Sequence, residues 1–402
     1  MKKTIYLIAA IVLLAACAEE EIKHLADLKI YLNETNSNAD VCTFDVKQGL
    51  DDETLVFSVN GRVNSRFEGK GQLIIQQIES DGTVSMIQNF EIGNGFPSNV
   101  LQVGSKYVVF WNDMSSNFKL LTFEKNANKF ELNTKPIDLS SEHEFKYLVT
   151  ATAFTNGYLL TGVASYSVDT VVYKKVVTLE LDINGVLKRK VSQNGYTAQA
   201  FGSAGAEELS FIQKFAGYFD VQTLESRVLV NTPSQKQIAL RYLGDPSPVY
   251  SDDQYWIAAF TPITQQKAAA ILLKHASNEA IFEPNIDLST SNNIFEDEER
   301  ISEERKLFNL RNDSKIHLLI TAEDKIIVAA NSNTGLTELH VFDTDGNRIG
   351  DKFDIGYSYP FNLAGIIETA DKKFVVIAGT TLVKFKYQRV FYIKIEKSQL
   401  YE

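Results

Sequence analysis

The chain has 402 residues, of which 44% are apolar and 23% charged, and its formal net charge is −11. That composition is ordinary for a globular protein and excludes a mainly disordered chain or a polytopic membrane protein. The acidic balance, with no basic block, argues against nucleic acid as a partner. The length could hold two or three domains, although all-β folds also run large as single units.

The first segment, MKKTIYLIAAIVLLAACAEE, is an address. Lys2 and Lys3 form a positive start, and Ile5 to Leu14 is an apolar stretch too short for a comfortable permanent span. The stretch ends in Leu14-Ala15-Ala16-Cys17, small residues directly before a cysteine, which resembles the lipobox of bacterial lipoproteins. The resemblance implies cleavage before Cys17 and a diacylglycerol on its sulfur. Two or three acyl chains at ~0.8 kcal/mol per buried CH₂ hold a protein firmly on a membrane. Glu19, Glu20 and Glu21 follow, and an acidic cluster in this place resembles the surface-export signal of Bacteroidota-type lipoproteins. The expected organisation is a signal peptide over 1–16, an acidic tether over 17–26 and one domain over 27–402. The expected location is the outer membrane, facing outward, with a periplasm-facing anchor as the alternative. The other cysteine, Cys42, has no second cysteine to pair with once Cys17 is lipidated.

Beyond the tether an apolar strand signature recurs. It appears as Leu55-Val56-Phe57, Tyr107-Val108-Val109-Phe110, Tyr158-Leu159-Leu160, Tyr255-Trp256-Ile257, Ile326-Ile327-Val328 and Phe374-Val375-Val376-Ile377, with a weaker instance at Leu209–Ile212. Successive starts lie about 50 residues apart, except for one longer step between Tyr255 and Ile326. A second apolar strand follows each signature, as in Gln72–Ile78, Val176–Leu181 and Phe391–Ile395. In most units a turn comes next, such as Ser80-Asp81-Gly82, Asn184-Gly185 or Asp345-Gly346, supplying the positive φ of tight hairpins. A repeat of ~45–50 residues with about four strands is the pattern of a β-propeller blade. The fold class is therefore all-β, a propeller of seven blades, with six or eight as the alternatives. The run Ile367–Gly379 with Phe391–Ile395 resembles the propeller repeats common in Bacteroidota lipoproteins.

The last unit has no strand after its turn, and an open blade would leave an unpaired edge. Leu28–Leu32 and Thr43–Lys47 are unassigned strand candidates, and one of them is expected to complete that blade and close the ring. The long step carries an acidic insertion near 285–310. Glu296 and Arg300 within Phe295–Lys306 are spaced for a short solvated helix.

Signatures of chemistry are sparse. The histidines are His24, His143, His275, His317 and His340, and no pair has metal-ligand spacing. Gly162-Val163-Ala164-Ser165-Tyr166 is not a nucleophile elbow, and Asn64 with Gly69-Lys70-Gly71 is not a phosphate loop. Asp343-Thr344-Asp345-Gly346-Asn347 resembles the start of a calcium loop without its distal glutamate, so no metal or cofactor is assigned. Trp111 and Trp256, in or just after the first recurring strand of a unit, are candidate ligand contacts or inter-blade packing residues. Asp169-Thr170-Val171 resembles the O-glycosylation acceptor of Bacteroidota-type secreted proteins.

Two functions fit. The first is a non-catalytic surface module that binds a protein or glycan. The second is a polysaccharide-processing enzyme or carbohydrate-binding protein, for which a deep axial pocket with several carboxylates and aromatics is expected. The side chains facing the central channel discriminate between them.

Overall fold

The computed structural model describes residues 29–31, 40–61, 71–113, 117–140, 145–154, 156–168, 171–197, 218–220, 225–229, 237–242, 255–264, 266–274, 277–287, 292–295, 305–311, 314–356, 361–382 and 388–401. The signal peptide, Cys17 and the acidic tether lie outside these residues, as do Leu209–Ile212 and Asp169-Thr170.

The described strands form successive sheets. After β1 (Lys29–Tyr31), the first sheet holds β2 (Val41–Gln48), β3 (Thr54–Asn60), β4 (Gln72–Ile78) and β5 (Val84–Glu91). The second holds β6 (Gly95–Pro97), β7 (Leu101–Val103), β8 (Lys106–Asp113), β9 (Phe118–Asn126) and β10 (Lys129–Ile137), with β6 and β7 both paired to β8. The third holds β11 (Phe145–Phe154), β12 (Gly157–Val168), β13 (Val171–Asp182) and β14 (Leu187–Thr197). Then come β15 (Tyr218–Asp220), β16 (Glu225–Leu229) and β17 (Gln237–Tyr242), followed by β18 (Tyr255–Pro262), β19 (Lys267–Lys274) and β20 (Glu279–Asp287). The insertion contributes β21 (Asn292–Phe295) and is followed by β22 (Lys306–Asn309). The sixth sheet holds β23 (Ile316–Ile320), β24 (Ile326–Asn331), β25 (Thr337–Phe342) and β26 (Phe353–Ile355). The last holds β27 (Phe361–Glu368), β28 (Phe374–Leu382) and β29 (Gln388–Glu396), before a short helix at Lys397–Tyr401.

The architecture is an all-β propeller. Six of the described sheets are antiparallel throughout. The sheet β15-β16-β17-β21 is built differently, because β21 joins β17 in parallel. The expectation of seven equivalent blades is thus corrected to six regular ones plus a sheet that borrows its outer strand from the insertion. The physical reason is chain path: β21 comes from beyond the next sheet and reaches β17 in the same direction. The predicted helix over Phe295–Lys306 falls largely on residues 296–304, outside the described set. Its two ends, Phe295 and Lys306, belong to strands.

The core lies between sheets. Along β8, Tyr107, Val109 and Trp111 pack with Phe57, Leu73 and Ile75 of the first sheet. The alternate residues Val108 and Phe110 pack with Tyr158, Leu160 and Leu179 of the third. Successive side chains of a strand point to opposite faces, so a strand sandwiched between two sheets is apolar at both. That is why the recurring signatures read as unbroken apolar runs. The same packing joins Val56 and Ile74 of the first sheet to Val376, Val390 and Tyr392 of the last. The first and last sheets are therefore neighbours. Turn chemistry follows the sequence as well. Gly346 sits at φ 90°, and Asp343 Oδ1 accepts from the backbone N–H groups of Asp345 and Asn347 at 2.9 and 2.8 Å.

The two N-terminal candidates separate. The strand at Lys29–Tyr31 completes the last sheet, pairing antiparallel with β29 through Lys29–Tyr392, Ile30–Phe391 and Tyr31–Val390. Thr43–Lys47 belongs to β2 and opens the first sheet. Thr43 also ties the ends together: its N–H donates to Thr380 Oγ1 at 2.8 Å, and its hydroxyl donates to Gly379 O at 3.1 Å. Deleting Lys29–Tyr31 should expose the edge of β29, lower the thermal midpoint by a few degrees and speed amide exchange along Gln388–Glu396. Unchanged exchange in that strand would contradict its pairing with β1.

Candidate functional site

The strands that begin the sheets converge on a cavity of about 310 Å³. Its wall is drawn from β2, the gap between β6 and β7, β11, β18, β23 with the preceding Lys315, and β27. Four of these inner strands, β2, β11, β18 and β27, share a local distortion, while β23 pairs with β24 in unbroken register. Register slips fall at Thr43/Asp45, Leu148/Thr150, Ile257/Ala259 and Leu363/Gly365, all at or beside the cavity wall. In the second sheet the inner strand is broken into β6 and β7 instead. A bulge inserts an extra residue, bends the strand and re-aims its side chains, so the same device shapes the wall on several sides. Small residues keep it open: Ala258, Ala259, Ala364 and Gly365 all line it. At Gly365 an added Cβ would come within 3.0 Å of Val46 Cβ and 3.2 Å of its backbone nitrogen, so a side chain there would require β2 to give by a few tenths of an ångström.

The polar groups divide into engaged and open ones. Asp45 is buried and fully engaged. Its Oδ1 accepts from Val46 N at 2.7 Å and from Lys47 Nζ at 2.9 Å, and its Oδ2 accepts from Val100 N at 2.6 Å. One carboxylate thus holds the bulge of β2 against the second sheet. Asn99 does the same between the second and third sheets. Its Nδ2 donates to Ala151 O at 3.0 Å, while its Oδ1 accepts from Ala151 N at 2.8 Å and Thr150 Oγ1 at 3.0 Å.

Lys315 and His317 are different. Lys315 lines the cavity and has no hydrogen-bond partner among the described residues. Burial holds its ammonium below the ordinary lysine range, against the pull of Asp45 and with the push of Lys47. Two residues on, on the same face, burial holds His317 down to about 4, opposed by Asp45 and reinforced by Lys315 and Lys47. The imidazole bonds to the backbone of Leu363, while Nε2 is buried without a partner. The Leu363 N–H is already given to Asn331 Oδ1 at 2.7 Å, so the group of Leu363 left to the imidazole is its carbonyl, which puts the ring proton on Nδ1 and leaves Nε2 as a lone-pair acceptor.

Among the described residues the wall therefore carries one carboxylate, two ammonium groups, one neutral imidazole and the ring of Phe260, while the ring of Phe44 packs on Phe57 in the core between the first and second sheets. The axial pocket exists, but it is neither rich in carboxylates nor uncharged. Trp111 is corrected as a ligand contact. It is fully buried between the first and second sheets, and Gly95 leaves no room beside its indole, since a Cβ there would lie 2.3 Å from Nε1. Trp256 lies in β18 opposite Leu273. Asp343 is engaged in its own turn, and Asp345 faces Lys267 Nζ at 3.4 Å. Cys42 is buried beside the wall, and burial pushes its thiol well up, so it stays protonated.

No family model and no curated protein matches the chain. Solved structures match at low identity. A Trypanosoma rangeli sialidase in complex with sialic acid aligns at 9% identity and TM-score 0.38 over 94% of this chain and 58% of its own. The Pyrococcus horikoshii acylaminoacyl peptidase aligns at 10% and 0.45 over 89% and 52%, and a mutant of AofleA from Arthrobotrys oligospora at 11% and 0.39 over 92% and 90%. The chain thus spans little more than half the length of the sialidase and peptidase chains.

The state of His317 fixes a pH dependence. Its pKa is about 4 when folded and near 6.5 when unfolded, so between these values the unfolded chain binds more protons. Stability is expected to fall as pH drops from about 6.5 to about 4, by up to about 3 kcal/mol at ~1.4 kcal/mol per unit. His340, also buried with a lowered pKa, titrates in the same direction. The difference between the native chain and His317→Gln in urea unfolding at pH 7.5 and 4.5 isolates the channel residue. An equal loss in both proteins would contradict a buried neutral His317.

Proposed function

We propose that this chain is a lipid-anchored surface protein whose propeller is a non-catalytic binding module, with the ligand taken into the axial cavity. The observation that carries the reading is the full engagement of Asp45. Cleavage of a glycosidic bond by the common route needs two carboxyl groups about 5–9.5 Å apart, and the described wall offers one, committed to backbone N–H groups and Lys47. The ring of Phe260 favours the glycan form of this reading, since sugars present apolar C–H faces to aromatic rings. In this reading Cys17 carries the acyl chains, and the acidic residues after it direct display on the outer face of the outer membrane. The ring has seven positions, with the irregular β15-β16-β17-β21 sheet filling the fourth.

Native mass spectrometry of protein isolated from membranes is expected to show a bound component that is lost in Ala259→Phe, which fills the cavity. Cys17→Ser is expected to move the protein from the membrane to the soluble fraction. Release of product from polysaccharides by the native chain but not by Ala259→Phe would overturn the non-catalytic reading, and membrane retention of Cys17→Ser would overturn the anchor.

A further inference from the structure

We infer that the axial cavity is a site for a small hydroxylated carboxylate, its anionic group held by Lys315 with Lys47 and a hydroxyl donated to Nε2 of His317. The inference rests on the reading of the cavity as a binding site and names the chemistry of what enters it.

The argument is a comparison of what the wall uses and what it leaves open. Asp45 and Asn99 face the cavity, but their polar atoms are engaged in holding neighbouring sheets together. What stays open is positive or accepting. The Lys315 ammonium has no hydrogen-bond partner among the described residues, and Lys47 gives Asp45 one of its three N–H groups. Two ammonium groups against one carboxylate leave the described wall with a surplus of positive charge, within a chain of net charge −11. A cavity with low-dielectric walls focuses that local field, so an anion is attracted there although the molecule as a whole repels it.

A half-buried cation without a partner is costly, and so is a buried acceptor without one. Both costs are removed together by a ligand that carries an anionic group and, a short distance away, a hydroxyl. Lys315 and His317 stand two residues apart at the start of β23, so their side chains leave the same face of the strand and meet the same ligand. The imidazole accepts only from a donor, which a simple carboxylate such as acetate does not offer. A neutral sugar would satisfy His317 and leave Lys315 unpaired. The acidic sugars, which combine carboxylate, hydroxyls and a C–H face for Phe260, match every open feature of the wall.

The probes are D-glucuronate, D-galacturonate, D-glucose and acetate, titrated calorimetrically into the purified chain at pH 7. One of the two uronates is expected to bind at least about tenfold more tightly than glucose or acetate, and to weaken with added salt. Lys315→Met is expected to reduce that affinity at least about tenfold with no loss of thermal stability, because the substitution also removes a buried charge. His317→Phe is expected to weaken the uronate and leave acetate unchanged. Lys47→Met gives an independent test of the anionic contact should Lys315→Met fold poorly. Binding of glucose as tight as that of the uronates, and lost in Ala259→Phe, would overturn this inference while leaving the cavity a binding site. No binding of either uronate, or uronate binding unaffected by Lys315→Met or Lys47→Met, would overturn it as well.

Discussion

Asp45 holds three hydrogen bonds across two sheets, and the axial cavity takes both its shape and its sign from them. The residue sits where β2 slips register, so the extra residue at Phe44 would otherwise leave backbone groups without partners. The carboxylate supplies the missing acceptor to Val46 and Val100. In doing so it becomes unavailable to a ligand, and Lys315 is left as the open charge of the described wall. Hydrogen bonds to an ionised group contribute about 1.5–3 kcal/mol each, so the arrangement is firmly held.

The wider fold makes such a cavity possible. The described core lies between neighbouring sheets, and the first and last sheets meet through Val56, Ile74, Val376 and Tyr392. The ring is then held at its seam by Thr43 on Thr380 and Gly379 and by β1 on β29. The outer parts of the sheets can be apolar throughout, but the inner strands cannot. They meet at the centre, where a large apolar side chain would close the space. The result is alanine and glycine at the closest approaches and a few polar groups between them.

That division explains what was legible in the sequence. The strands that carry the recurring signatures are sandwiched between sheets, so Tyr107–Phe110 and Phe374–Ile377 stand out as apolar runs, and their spacing reveals the repeat. The tight turns are legible for an equally local reason, since Asp-Gly and Asn-Gly provide the backbone conformation directly. The inner strands are not legible. Val41–Gln48 and Phe361–Glu368 carry register slips, which break the alternation that identifies a strand. Thr43–Lys47 therefore looks like a spare closing strand when it is the innermost strand of the first sheet. The site suffers for the same reason: Asp45-Val46-Lys47 and Lys315-Ile316-His317 are same-face polar pairs, a signal too short to separate from chance. Trp111 was visible as a large aromatic, but residue type does not tell which side of a sandwiched strand is wet.

The most direct test of the account is the stability of Asp45→Asn by urea unfolding at pH 7. If the carboxylate is a structural acceptor, the amide presents a donor to groups that are themselves donors. The variant should then lose about 2–3 kcal/mol. A variant as stable as the native chain, or more stable, would mean that Asp45 is a charge held at a cost for chemistry on a ligand, and would contradict the division of the wall on which the binding role rests.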